Sequence, residues 1–328
     1  MAYTTINKST DHFITHLYTG NDSTNNQTSL GMTPDLVWVK CRNNSTPSHY
    51  WVDKVRGDKK YISSNRQDAE ATDSNTFDLV SGGFNLAGGN GWTNVSGRNY
   101  VAWNWKAGNS AGSSNSDGSI TSTVSANTTS GFSIVKYTGT GSNATVGHGL
   151  GVAPKMILFK DTTNGGTNWA VYAKDIGNDY RLTLNDNTAR AGASSTYYQN
   201  TDPTSSVFSI GSNSRANASG AVTIAYCFAD VIGFSKIGKY KGNNNADGPF
   251  VYTGFKPAFV MVKNFDTAIN WLILDNKREG YNPQKLALFP NTTTDETGDY
   301  LIDFNSTGFK IRTATSALNG NNQDLVYM

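Results

Sequence analysis

Gly31-Met32-Thr33-Pro34-Asp35-Leu36-Val37-Trp38-Val39-Lys40 is the stretch from which the fold is read, because the chain writes it three times. It returns as Gly151-Val152-Ala153-Pro154-Lys155-Met156-Ile157-Leu158-Phe159-Lys160. A third version reads Gly254-Phe255-Lys256-Pro257-Ala258-Phe259-Val260-Met261-Val262-Lys263. Proline at a strand entry is tolerated because its missing N–H is not needed there. The unbroken apolar run that follows fits a central strand buried on both faces.

Two further landmarks keep the same order. Tyr-x-Gly ends an apolar strand at Tyr18-Thr19-Gly20, Tyr137-Thr138-Gly139 and Tyr240-Lys241-Gly242. A tryptophan strand follows the proline run, with Trp51, Trp169 and Trp271 as its markers. Successive tyrosines lie 119 and 103 positions apart, prolines 120 and 103, and tryptophans 118 and 102. A period above 100 excludes solenoids, whose units run about 20–50 residues. Each copy is large enough to be a domain.

Later elements are short strands separated by Asn, Gly and Ser turns. They include Leu182-Thr183-Leu184, Leu286-Ala287-Leu288, Gly83-Phe84-Asn85 and Gly308-Phe309-Lys310-Ile311, and long helices look absent. The copies close on Tyr100-Val101-Ala102-Trp103-Asn104-Trp105, Ile224-Ala225-Tyr226-Cys227-Phe228 and Asp324-Leu325-Val326-Tyr327-Met328. The equivalent strand continues past this point in the first two copies, so the expectation is that the third stops mid-strand. The predicted fold is all-β: three tandem related antiparallel β-sandwich domains, jelly-roll-like. Repeat 1 is placed at 1–105, a Ser/Thr/Asn/Gly-rich linker at 106–130, repeat 2 at 131–230 and repeat 3 at 231–328. The linker composition predicts flexible coil or an exposed strand rather than core. The apolar residues Val231, Ile232, Phe234 and Ile237 predict that repeats 2 and 3 pack together.

Composition narrows function. Charged residues are 16% of 328, and aromatics are 12%, which excludes both charge-laced long helices and disorder. A net charge of +2 gives no electrostatic footprint for nucleic acid or a membrane surface. No apolar stretch approaches 18 residues, and the start has no basic region leading into an apolar run. Cys41 and Cys227 are too few and too far apart for a disulfide framework and read as buried free thiols.

His12 and His16 have i, i+4 spacing, but on a strand that is about 13 Å, too far to share a metal. His148, in Gly147-His148-Gly149, reads as a surface turn. Asn243-Asn244-Asn245-Ala246-Asp247-Gly248 has oxygen ligands before a glycine but no distal Glu, so it reads as an Asx turn and not a calcium loop. Asp53 and Asp275 both follow the strand tryptophan, yet neither has a nameable partner carboxylate for glycoside hydrolysis. No metal, cofactor or catalytic residue is assigned. The recurrent tryptophans read as core, and Trp103 and Trp105 share one sheet face opposite Asn104. Trp92, on the loop Asn90-Gly91-Trp92-Thr93, is the candidate binding aromatic.

Several of these stretches carry a family resemblance. Residues 1–20 resemble marine bacteriophage virion proteins, as do Gly131-Phe132-Ser133-Ile134-Val135-Lys136-Tyr137-Thr138-Gly139-Thr140-Gly141 and Val146-Gly147-His148-Gly149-Leu150-Gly151-Val152-Ala153-Pro154-Lys155-Met156. So do the run from Asp247-Gly248-Pro249-Phe250 through Phe259-Val260 and the segment Gly308-Phe309-Lys310-Ile311-Arg312. These proteins carry an uncharacterised repeated β-domain and are of the tail fibre or structural protein type. The resemblance implies a non-enzymatic virion component, made in the host cytoplasm, partnered by other virion proteins and working by assembly and surface contact. Fibres are often homotrimers, so a trimer is favoured, although three copies in one chain suit a monomer with internal pseudo-symmetry equally. The competing expectations are a carbohydrate-binding module recognising host polysaccharide and a depolymerase with two carboxylates converging in a groove.

Overall fold

The computed structural model describes residues 4–192 and 194–328, and they form several antiparallel sheets, with 38% strand against 6% helix. Each sequence repeat contributes four strands to one larger sheet. In the first these are β1 (Phe13–Thr19), β2 (Leu36–Cys41), β3 (Tyr50–Asp53) and β4 (Asn99–Trp105). The second supplies β5 (Phe132–Thr138), β6 (Met156–Asp161), β7 (Ala170–Ala173) and β8 (Val222–Phe228). The third supplies β9 (Gly238–Lys241), β10 (Phe259–Asn264), β11 (Leu272–Asp275) and β12 (Asp324–Tyr327). The spatial order is the same each time: the closing strand lies between the Tyr-x-Gly strand and the post-proline strand, with the fourth outside. β2 and β6 are buried at every position, as an apolar run without alternation requires.

Both faces of these sheets are covered. One face of each packs on a smaller sheet from its own repeat. In the first, Val37, Val39, Tyr50 and Ala102 meet Phe77 and Phe84. The other faces meet one another in a single central cluster that includes Trp38, Trp51 and Trp103 from repeat 1, Met156, Trp169 and Tyr226 from repeat 2, and Met261, Trp271 and Val326 from repeat 3. The repeats therefore share their largest core, which a string of independent domains would not. Residues 106–130 are no free linker. Ser122–Asn127 pairs with β5, and Ile120 and Val124 are buried, because Val and Ile supply an inward face that the Ser/Thr/Asn composition conceals. In the second junction Ile237 is buried, whereas Ile232 stands exposed in a turn closed by Val231 and Ser235.

The Tyr-x-Gly landmark has a common structural cause. The hydroxyls of Tyr18, Tyr137 and Tyr240 donate to the carbonyls of Thr93, Ala216 and Leu318 at 2.7, 2.6 and 2.8 Å. Each of those residues precedes a fully buried asparagine, Asn94, Asn217 or Asn319. Its Oδ1 accepts the backbone N–H just after the glycine, from Asn21, Thr140 or Asn243. A Cβ at Gly20, Gly139 or Gly242 would lie 2.3 Å from a carbonyl oxygen on this corner. Only glycine fits.

Candidate functional site

Several buried polar groups make contacts between repeats, and they do so in a cycle. Trp169 Nε1 donates to the carbonyl of Ser63 at 2.9 Å, and Trp271 Nε1 to the carbonyl of Thr183 at 2.9 Å. The third contact of this kind is made by His49, whose Nε2 lies 2.9 Å from the carbonyl of Phe289. Trp38 Nε1 can only donate, and it meets His49 Nδ1 at 2.8 Å, so Nδ1 accepts and Nε2 carries the proton. Burial, reinforced by the nearby Lys40 charge, holds His49 well below the ordinary imidazole pKa.

This corrects the tryptophan landmark. The backbone N–H groups of His49, Trp169 and Trp271 bond to Asn65, Asn185 and Asn291 respectively, so His49 is the counterpart of Trp169 and Trp271. Trp51 lies two residues further on, opposite Trp38, where the other repeats place Val171 and Ile273 opposite Leu158 and Met261. It points into the same core, and its Nε1 lacks a partner.

The lysines closing the post-proline runs form a second ring. Lys160 donates to the carbonyl of Gln67 at 3.0 Å, Lys263 to that of Asn187 at 3.5 Å and Lys40 to that of Thr293 at 2.8 Å. All three are fully buried, and burial lowers each ammonium to about 8. A third ring is backbone alone: Glu70 N–H to Thr162, Arg190 N–H to Phe265 and Glu296 N–H to Arg42.

Asp53 and Asp275 are equivalent but not catalytic in placement. Each binds the arginine three residues on, Arg56 or Arg278, and that arginine also reaches Glu70 or Glu296. Each also accepts from the next repeat in the cycle, from the Tyr226 hydroxyl at 2.7 Å and from Trp103 Nε1 at 3.1 Å. At the third interface all three members are apolar: Ala173 and Ile176, with Met328 at the donor position. Arg190 stands there in place of a glutamate and pairs with Asp266 at 3.1 Å. The two aspartates belong to different interfaces and do not converge.

The remaining candidates are placed as follows. His16 meets Gln27, and His12 meets Asn127. His148 is buried rather than on the surface, its Nδ1 accepting the Leu150 N–H because the flanking glycines fold the turn inward. Among the described residues no group of three His, Cys, Asp or Glu could hold a metal. Both cysteines are buried free thiols. The segment from Asn243 to Gly248 is a run of Asx turns, Asn243 Oδ1 accepting from Asn245 and Asn245 Oδ1 from Asp247.

Trp92 is the surface candidate that remains. Asn90 Oδ1 accepts the N–H groups of Trp92 and Thr93, which fixes the loop. The half-buried indole stands edge-on to Tyr61 and Tyr50 at 5.3 and 6.0 Å, and the Arg66 guanidinium lies 5.8 Å from its centre. Asp73 receives Tyr50 and Asn90 behind it. The result is a fixed aromatic edge beside a cation whose carboxylate partner, Asp68, is exposed. Such a surface can make stacking and hydrogen-bonded contacts. The sequence pointed to Trp92 alone; Arg66, Tyr61 and Asp73 had no periodic or motif signal to join them to it.

The geometry is one body spanning three repeats, and the sequence comparison has the same span. Residues 8–328 match the family described as a domain of unknown function, DUF7483. The chain belongs to the DUF7483 family. No curated protein and no solved structure matches it. The DUF7483 match crosses all three repeats, as the shared core and the three rings of bonds do.

Proposed function

We propose that this DUF7483 chain is a non-enzymatic virion structural protein, an exposed component of the tail fibre or spike type that works through assembly and surface contact. In this reading the repeats are three β-sandwich modules of jelly-roll type fused into one chain, made in the host cytoplasm and carried on the particle beside other virion proteins. The observation that carries it is the fate of the ionisable groups. Asp53, Asp275, His49 and the three buried lysines are all bound up in contacts between repeats. A rigid body with an uncharged polar surface is what attachment demands, and turnover demands free groups in a cleft. The threefold order that fibre proteins gain by trimerising is available here from one chain. Cryo-imaging of purified virions tests the proposal. Density that accepts this chain is expected, and particles that lack the protein altogether would refute it.

A second reading, a carbohydrate-binding module recognising host polysaccharide, has one specific observation in its favour: Trp92 is held half-exposed beside Arg66 and Tyr61. Glycan-array binding that is abolished by Trp92→Ala would support it. A blank array with the native chain would reject it.

A further inference from the structure

A cavity of about 330 Å³ lies in the seam between repeats 1 and 2, bordered by Lys60, Glu70, Thr123, Lys136, Thr138 and Thr163. All of its lining residues except Tyr137 and Val222 are charged or threonine. The Glu70 N–H donates to the Thr162 carbonyl at 2.9 Å and ties the two repeats together here. One wall belongs to this seam alone. Ser122–Asn127 pairs with β5 and sets Thr123 opposite Lys136. Among the described residues β1 and β9, the counterparts of β5, are edge strands without such a neighbour.

Three cations meet two carboxylates in this seam. Arg56 binds Asp53 and reaches Glu70 at 3.4 Å, and Lys60 reaches Glu70 at 3.1 Å. Lys136 donates to the Val55 carbonyl at 3.1 Å and has no carboxylate partner among the described residues. The fold does not require these lysines. Ile62, Leu182 and Leu288 lie opposite Trp51, Val171 and Ile273, so Tyr180 and Leu286 are the counterparts of Lys60. The residue before each landmark tyrosine makes Leu17 and Lys239 the counterparts of Lys136. The closing seam, between repeats 3 and 1, keeps Asp275, Arg278 and Glu296 but carries Leu286 and Leu17. In the middle seam Arg190 replaces Glu70 and lies 4.9 Å from the Tyr180 ring.

We propose that the first seam binds a hydroxylated carboxylic acid the size of one uronic acid residue, its carboxylate on Lys136 and its hydroxyls on Glu70 and the threonines. Ligand pockets begin at about 300 Å³, so the cavity suits a single ring. The class follows from donors and acceptors. Lysines only donate, an ionised Glu70 only accepts, and threonine does both. An inorganic anion offers Glu70 no donor and sets a second negative charge beside it, whereas a neutral sugar leaves Lys136 without a counter-charge. A hydroxy acid satisfies both. The site shares no residue with the Trp92 surface and does not rest on either functional reading.

The test titrates the full chain with D-glucuronate, D-glucose, acetate and sulfate, following threonine methyl shifts and the melting temperature. Glucuronate is expected to saturate with a Kd of about 1 mM, as suits so small a ligand, and to shift Thr123, Thr138 and Thr163. The other three should bind at least tenfold more weakly. Lys136→Leu copies Leu17 of the closing seam, so it should keep Tm while weakening glucuronate at least tenfold. Trp92→Ala should leave glucuronate binding unchanged. A glucuronate oligosaccharide serves as a further arm. Tighter binding than the monosaccharide supports the site as one for a polysaccharide residue, and exclusion supports it as one for the free acid. Absence of saturable glucuronate binding to the native chain overturns the proposal, whatever the variants do. Equal binding of acetate or sulfate removes the hydroxyl contacts, and equal binding of glucose removes the role of Lys136; either overturns the ligand class. Loss of binding in Trp92→Ala places the sugar at the other surface and overturns the seam site.

Discussion

The Lys40 ammonium donates to the carbonyl of Thr293 at 2.8 Å, joining the first repeat to the third across 253 positions of sequence. Lys160 and Lys263 make the equivalent bond one repeat back along the chain, so the Lys40 bond closes a ring rather than ending a row. Closure has an energetic consequence. In an open row the first and last repeats would each expose an apolar face, whereas here all three faces meet in one cluster. The solvent-side polarity that makes the chain look poorly hydrophobic is the complement of that arrangement.

Separating the repeats should therefore abolish folding. Residues 131–230 alone would expose Ile134, Met156, Leu158, Trp169, Val171, Tyr226 and Phe228, all at 5% exposure or less in the whole chain. Each buried side chain of this size is worth about 1.5–3 kcal/mol, and the total exceeds the usual stability of a small domain. Circular dichroism and size-exclusion chromatography of this fragment should show an unfolded or aggregated species. A monomeric, cooperatively melting fragment would contradict the shared-core account.

The acidic interfaces should behave as units. Asp53→Ala alone strands the buried Arg56 and should cost about 3–5 kcal/mol. Combining it with Arg56→Ile and Tyr226→Phe makes the site resemble the apolar third interface of Ala173, Ile176 and Met328. That triple variant should fall within about 2 kcal/mol of the native chain. Denaturant titration of the single and triple variants measures both. Additive losses would show that the charges are not coupled.

How far this was legible depends on what kind of signal each feature leaves. Post-proline strands are buried on both faces, so the runs before their closing lysines are apolar, and those starting at Leu36, Met156 and Phe259 align directly. Tyr-x-Gly survives because a hydroxyl bond and a close backbone approach allow no substitute. The third marker misled because Trp51 resembles Trp169 chemically while His49 replaces it structurally, a single indole N–H bond having been passed to an imidazole. Contacts between repeats left no linear trace, since Asp53 with Tyr226 and Lys40 with Thr293 are far apart in sequence. The polar majority of residues 106–130 conceals Ile120 and Val124, the two buried residues that seat the segment in the fold.

The three lysines predict an alkaline stability gain. Each has an amine at about 8 in the folded chain against an ordinary 10.5, so the unfolded chain binds more protons between those values. The burial penalty is whole below pH 8 and is relieved as pH rises, by about 1.4 kcal/mol per unit for each lysine. Cys227 and the buried tyrosines Tyr18, Tyr137 and Tyr240, all raised by burial, work in the opposite direction above about pH 9–10. Comparing the native chain with Lys263→Met isolates the term. Their stability difference should move in favour of the native chain from pH 8 to 9.5, and a flat difference would contradict the burial of a charged amine.

His49 makes the converse prediction in acid. Its folded pKa is depressed by burial, so the neutral relay from Trp38 to Phe289 is fully stabilising above the unfolded value of 6.5. As pH falls below 6.5 the unfolded chain takes up a proton that the folded chain refuses, and stability drops by about 1.4 kcal/mol per unit. His148, lowered chiefly by its own burial, adds in the same direction. Replacement His49→Gln lowers stability at pH 7 but removes its share of the slope. Denaturation midpoints at pH 7, 6 and 5 should therefore converge between the variant and the native chain. If they run parallel, His49 is protonated in the fold, and its Nδ1 cannot be accepting from Trp38.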